Sequence, residues 1–327
     1  MEAQDAPLVG SSPHRAESGG QVRPGDHHPS PAFFAGLSDP FGPHRIDISA
    51  AGIRVRLEGL SSRQQSELAA RYGIFARRRD DEAGVDIRLA VRRSPRDAFL
   101  RVAPSGPAEL YRLLSKEIDG SLMAWSYEWA ALWSRAAGEA TLAATTGDRE
   151  IFDRIIENFL RVVFAHEILE RGGLLLHGAG VVRDGQAWLF FGPSGSGKTT
   201  VTTLSAGARI LSDDLVMIVP GGRGFVACSV PFRGLLTPPA MSDRSYPVAG
   251  LFRLVKDSED RVEPLDPARA VGELVQSLPF ITDCPGAAPR MLEVASAVAG
   301  AAPVSTLRFR KDSTFWGVVE NAGRSAA

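Results

Sequence analysis

Apolar and polar positions alternate along this chain in two rhythms, period two and a helical period, and the changes between them mark the elements. From Arg45, Ile46 and Ile48, then Ile53, Val55 and Leu57, alternate with polar neighbours. That predicts two half-buried strands turning at Ala51-Gly52. Ser62 and Gln65 have capping-box spacing and open a helical stretch through Leu68 to Tyr72, with Gly73 as its stop. Strand-like pieces follow at 85–91, 98–102 and 110–114. Over 122–133 the aromatics Trp125, Tyr127, Trp129 and Trp133 keep a period of two, which suits the core face of a sheet. The longest helical pattern is 149–171. Phe152, Ile155, Ile156, Phe159, Val163 and Ile168 lie on or near one stripe, and Gly172-Gly173 ends it. His166 beside that stripe reads as structural.

The second half opens with a strand-like run, Leu174-Leu175-Leu176-His177-Gly178-Ala179-Gly180-Val181-Val182, a turn at Asp184-Gly185, and the apolar strand Ala187-Trp188-Leu189-Phe190-Phe191. A hairpin there predicts a mixed sheet, since parallel neighbours need a longer crossover. Val201 and Leu204 carry a short helical pattern that Gly207 ends. Residues 209–219 read as an apolar strand interrupted by Asp213-Asp214. A turn at Pro220-Gly221-Gly222 leads to a strand at 225–230. Beyond lie a strand at 248–255, amphipathic helices at 267–276 and 288–298, and a strand at 304–309. Phe315-Trp316 with Val318-Val319 is expected to pack the chain end onto the core.

Composition adds boundaries. Residues 1–44 are rich in Pro, Gly, Ser and His and read as a disordered tail, in which the isolated pair His27-His28 is no metal site. Residues 45–147 read as a β-rich α+β domain without a chemical motif, 148–320 as an α/β catalytic domain, and 321–327 as a frayed end. A net charge of −1 gives no electrostatic footprint for nucleic acid. Cys228 and Cys284 stand far apart, without metal-ligand spacing, as buried thiols of a reducing compartment. No run approaches the about 20 apolar residues of a membrane span, and no signal-peptide core opens the chain. The expectation is a cytoplasmic protein with no membrane partner.

The candidate chemistry sits between the elements. Gly192-Pro193-Ser194-Gly195-Ser196-Gly197-Lys198-Thr199, followed by Thr200, fits G-x-x-x-x-G-K-[ST], the phosphate-cradling loop, with a strand ahead and a helix behind. Its glycines let backbone N–H groups wrap a polyphosphate, Lys198 reaches the outer phosphates and Thr199 offers a hydroxyl to Mg²⁺. Asp213 and Asp214, flanked by apolar residues, need a partner because burying a lone carboxylate is costly. Mg²⁺ with its bound phosphates is such a partner. Arg233, in Pro231-Phe232-Arg233-Gly234, is a candidate contact to phosphate or docked substrate.

The order Leu176-His177-Gly178, then the glycine loop, then Leu211-Ser212-Asp213-Asp214, resembles the C-terminal catalytic domain of the HPr kinase/phosphorylase family. The likeness covers roughly residues 150–320 and is greatest to relatives with a different N-terminal region. It implies a P-loop nucleotide-binding fold with a mixed sheet, akin to ATP-dependent phosphoenolpyruvate carboxykinase. It also implies Mg²⁺-dependent transfer of the ATP γ-phosphate to a serine. By position Asp213 matches the family's general base, Asp214 the carboxylate near the metal and His177 the histidine beside the base; which aspartate does which job stays open. The family's Glu close to an Arg-Gly is missing here, where Leu235-Leu236 follow Arg233-Gly234.

The expected function is therefore an ATP- and Mg²⁺-dependent serine kinase whose acceptor is a small protein, HPr-like, or a precursor peptide. A homo-oligomer is compatible with it. The alternative is an ATP-binding regulatory or scaffold protein that transfers no phosphate. A carboxykinase would want Arg and Lys clusters for a dicarboxylate, a GTPase an Asn-Lys-x-Asp motif, and an ABC-type ATPase a Ser-Gly-Gly signature. None of these is visible.

Overall fold

A computed structural model describes residues 29–77, 84–100, 113–232, 244–282 and 284–325. The chain is a mixed α/β protein built on two mixed sheets. In the first sheet, β1 (His44–Ala50) and β2 (Ile53–Leu60) form the expected hairpin. The others are β3 (Ala76–Arg77), β4 (Ile87–Arg93), β5 (Leu114–Ile118), β6 (Ser121–Trp125), β7 (Trp129–Ser134) and β8 (Glu139–Ala144). Their order is β3-β1-β2-β4-β8-β7-β6-β5, with β4 parallel to both β2 and β8. Of the strand pieces expected at 98–102 and 110–114, residues 98–100 are not strand, Leu114 opens β5, and 101–112 lie outside the described residues.

Helix α2 (Ser62–Tyr72) follows β2 and is capped one residue earlier than its spacing suggested. Ser61 and Gln64 form the reciprocal box, and Gly73 closes the helix at φ +53°. Residues 29–44 depart from an unstructured tail. Pro31–Ala35 is a short helix, α1, capped by Ser30, whose Phe34 is buried and whose Phe33 meets Phe99 edge-on. Adjacent phenylalanines supply enough apolar area to hold one turn against the sheet. Residues 1–28, with His27 and His28, lie outside the described residues.

The aromatics of β6 and β7 are core, as expected, but the turn between the strands splits them. Trp125 and Tyr127 pack with Phe34 and Phe99 on one face, while Trp129 and Trp133 pack on the other. There they meet α3 (Arg149–Glu170), with Trp129 against Phe159 and Trp133 against His166, each at 5.8 Å.

Helix α3 does more than show one stripe. Leu175, Leu215 and Met217 of the second sheet share its core, so it is buried between the two sheets. A helix covered all round must also bury its polar positions, and Glu157, Arg161 and His166 are buried within it. Burial, with the charge of Arg135 adding to it, pushes the His166 imidazole down to about 4. His166 is structural.

The second sheet contains β9 (Leu174–Arg183), β10 (Gln186–Phe191), β11 (Arg209–Ser212), β12 (Leu215–Gly221), β13 (Gly224–Cys228), β14 (Ser245–Lys256), β15 (Arg261–Pro264) and β16 (Val304–Phe309). Two long strands organise it. The first half of β9 pairs with β12, and its second half with β10 and β11. Strand β14 likewise leaves β13 to run parallel to β10 and β16. Along β10, Ala187, Leu189 and Phe191 face α5 (Pro267–Gln276) and α6 (Ala288–Ala301). Trp188 and Phe190 face α4 (Lys198–Leu204) and α7 (Phe315–Ser325). Helix α7 runs through most of the stretch expected to fray, because Phe315, Trp316 and Val319 are buried.

Both cysteines are free thiols; Cys284 is buried, and burial pushes the half-buried Cys228 thiol up to about 11. Among the described residues, no helix is long and apolar enough to cross a membrane.

Candidate functional site

Three chain segments converge at one end of the second sheet. The first is the loop that leaves β10 and enters α4. Gly192, Gly195 and Gly197 all take left-handed φ angles. At Gly197, with φ +113°, a Cβ would stand 2.7 Å from Phe309 Cζ, so both backbone and space require glycine there. Strand β16 and helix α7 brace the loop from behind. Phe309 lies under Gly197, and the Trp316 indole donates to Ser205 Oγ at 3.1 Å, at the far end of α4.

Lys198, the first residue of α4, is buried, and its Nζ donates to the Gly192 carbonyl at 2.9 Å and to that of Pro193 at 3.4 Å. Burial holds its pKa below the usual lysine value, and the Asp214 charge acts in the opposite direction. Ser196 Oγ is buried with no hydrogen-bond partner, a polar atom aimed into the loop. Ser194 is exposed, and Thr199 and Thr200 are half-buried on the first turn.

The second segment is the break between β11 and β12. The run expected as one interrupted strand is two, because Ser212 Oγ accepts from the N–H groups of Asp214 and Leu215, both at 3.2 Å, and turns the chain. Asp213 is buried and Asp214 half-buried in that turn. The third segment is β9, where His177 stands in register opposite Leu215 and the Gly178 N–H donates to the Asp214 carbonyl at 2.9 Å. A Cβ on Gly178 would come within 2.9 Å of the Phe190 carbonyl. His177 Nδ1 lies 3.3 Å from Asp214 Oδ1.

The fold thus brings His177 and Asp214 into contact and sets Lys198 within their field. A residue without a sequence motif joins them. Arg161 of α3 points its guanidinium at the same carboxylate, with Nη2 3.8 Å from Asp214 Oδ2. It is held by Glu157 at 2.6 Å, one turn back, and lies over the ring of Phe232. Its signal in the sequence was a lone arginine inside an apolar helical run. Arg233, the candidate substrate contact, lies outside the described residues; Phe232 before it is buried against Phe164.

No curated protein matches the chain. The family model that matches, over residues 142–322, is that of the SynChlorMet cassette protein ScmC, and no model of the HPr kinase family matches. The kinship read from the histidine-glycine pair, the glycine loop and the aspartate pair is therefore corrected. Three short motifs cover few positions, whereas the family match spans residues 142–322. With more than half of its length inside that match, the chain belongs to the ScmC family.

Proposed function

We propose that this protein is an ATP- and Mg²⁺-dependent kinase that transfers the γ-phosphate to a serine of a small protein or peptide. The observation that carries the reading is the convergence of a lysine-bearing glycine loop with a buried aspartate turn and a histidine. In this reading residues 192–200 form a P-loop. Its left-handed glycines and the orphaned Ser196 hydroxyl suit a polyphosphate, and Lys198 Nζ exchanges the loop carbonyls for the outer phosphates.

Among the described residues no group of three or more His, Cys, Asp or Glu stands ready to hold a cation. A Mg²⁺ ion would instead be shared between Asp214, the Thr199 hydroxyl and the nucleotide phosphates, and would neutralise charge as transfer proceeds. Asp214 has His177 beside one carboxylate oxygen and Arg161 beside the other, and its charge acts on Lys198. Asp213, buried in the turn, is assigned the acceptor's proton. The serine Oγ bonds to the γ-phosphorus, the bond from that phosphorus to the β–γ bridging oxygen breaks, ADP leaves, and the hydroxyl proton passes to the Asp213 carboxylate.

The test is incubation with γ-labelled ATP, Mg²⁺ and the small proteins and peptides encoded beside this gene. Label on a serine is expected, with Asp213→Asn losing about 100-fold or more in transfer while still binding ATP. Lys198→Ala should lose tight ATP binding. Bound ATP with no label on any acceptor would overturn the kinase reading in favour of a nucleotide-binding regulator. Unchanged ATP affinity in Lys198→Ala would overturn the P-loop.

A further inference from the structure

Helix α3 buries a line of charge where its neighbours are apolar. Phe159, Leu160, Val162, Val163 and Phe164 surround Arg161, and all are buried. Apolar side chains of similar size in place of a buried ion pair are often neutral or stabilising, so stability alone does not call for one here. The line is also directional. Arg71 of α2, half-buried, grips Glu157 and stands 3.6 Å from Asp153. Glu157 holds Arg161 through its other oxygen at 2.6 Å, and Arg161 reaches Asp214. At Asp214 the two carboxylate oxygens have different neighbours. His177 approaches Oδ1 and Arg161 approaches Oδ2. A carboxylate bracketed on both oxygens has its plane set. The 3.8 Å approach is too long for a hydrogen bond but close enough for charge attraction, so it acts on the group through charge.

We infer that Arg161 is a positioning residue: held by Glu157 and Arg71, it orients Asp214 against His177, so that α2 helps to set the geometry of the site. This rests on the proposed nucleotide chemistry for its consequence, though not for its geometry. Glu157 and Arg161 lie inside the stretch matched to the ScmC family, whereas Arg71 lies upstream of it. The upstream region, which carried no chemical motif, then contributes to the site through α2 by holding a charge in place. Such supporting partners of a metal-binding carboxylate commonly change metal affinity by about 10- to 100-fold when removed.

Two readouts test this in the full chain. The first is the imidazole NMR signals of His177 without nucleotide, assigned with His177→Gln. The second is the gain in affinity for a fluorescent ATP analogue when Mg²⁺ is added. In Arg161→Gln the His177 signals should move, and the Mg²⁺-dependent gain should fall about tenfold or more, while metal-free affinity changes less than about twofold. Arg161→Lys should recover part of the gain. Arg71→Gln, partly exposed and remote from the nucleotide, guards against a variant that fails to fold; it should move the same signals and lower the gain about threefold. Unmoved His177 signals and an unchanged gain in folded Arg161→Gln or Arg71→Gln would overturn the inference. If the His177 signals move but the wild-type chain shows no Mg²⁺-dependent gain, the proposed chemistry falls and the positioning role stands.

Discussion

His166 offers the sharpest quantitative test, because its burial converts directly into a dependence of stability on pH. The ring is buried in α3 against Trp133, its Nε2 is 3.7 Å from Cys284 Sγ, and its pKa is lowered from 6.5 to about 4. In the unfolded chain the imidazole takes a proton as pH falls through about 6.5, whereas in the folded chain it stays neutral until about 4. Between those values the unfolded state binds more protons, so stability falls as pH falls. A tenfold difference in proton affinity is about 1.4 kcal/mol, which makes the loss from this one residue about 3 kcal/mol between pH 7 and pH 4. Asp153 and Glu167 on the same helix are raised by burial and titrate in the acid range too. The measurement must therefore be a difference. Urea unfolding of the wild-type chain and of His166→Phe, run from pH 7 to pH 4, should show the variant gaining on the wild type by about 3 kcal/mol at the acid end. A difference that stays flat within about 0.5 kcal/mol, or an imidazole that titrates near its ordinary pKa by NMR, would refute the reasoning.

Two more perturbations follow from particular contacts. Asp47→Ala should cost about 3–5 kcal/mol in urea unfolding, because it removes the carboxylate that two buried guanidinium groups share. Arg54 Nε donates to Oδ2 at 2.7 Å and Arg56 Nε to Oδ1 at 2.8 Å; a loss under about 1 kcal/mol would show that the cluster relaxes freely. Gly197→Ala should destabilise the fold by about 1–3 kcal/mol in thermal unfolding, since φ +113° and Phe309 both oppose a Cβ. ATP affinity should drop with it, and an unchanged melting temperature with unchanged affinity would refute the account of that loop.

Local sequence determined most elements of this protein. The hairpins of β1 with β2 and of β9 with β10 follow from alternation and turn residues over a few positions, as do helix α5 and strand β16. The glycine loop and the aspartate pair stood out as residue types at particular spacing, whereas His177 was singled out only by a resemblance to another family. Kinship was not visible there: the match to the ScmC family rests on the longer stretch around these motifs.

Tertiary structure decided what long-range packing controls. Helix α3 looked like a one-sided amphipathic helix, yet it is covered by both sheets, a fact that depends on where β9 and β12 run. Only that burial brings Arg161 to Asp214 and ties it through Glu157 to Arg71, 86 positions away from Glu157 along the chain. A pattern of apolar positions reports the local period of the backbone and the face that meets a neighbour. Which neighbour arrives, and which charge it carries, is settled when distant segments pack.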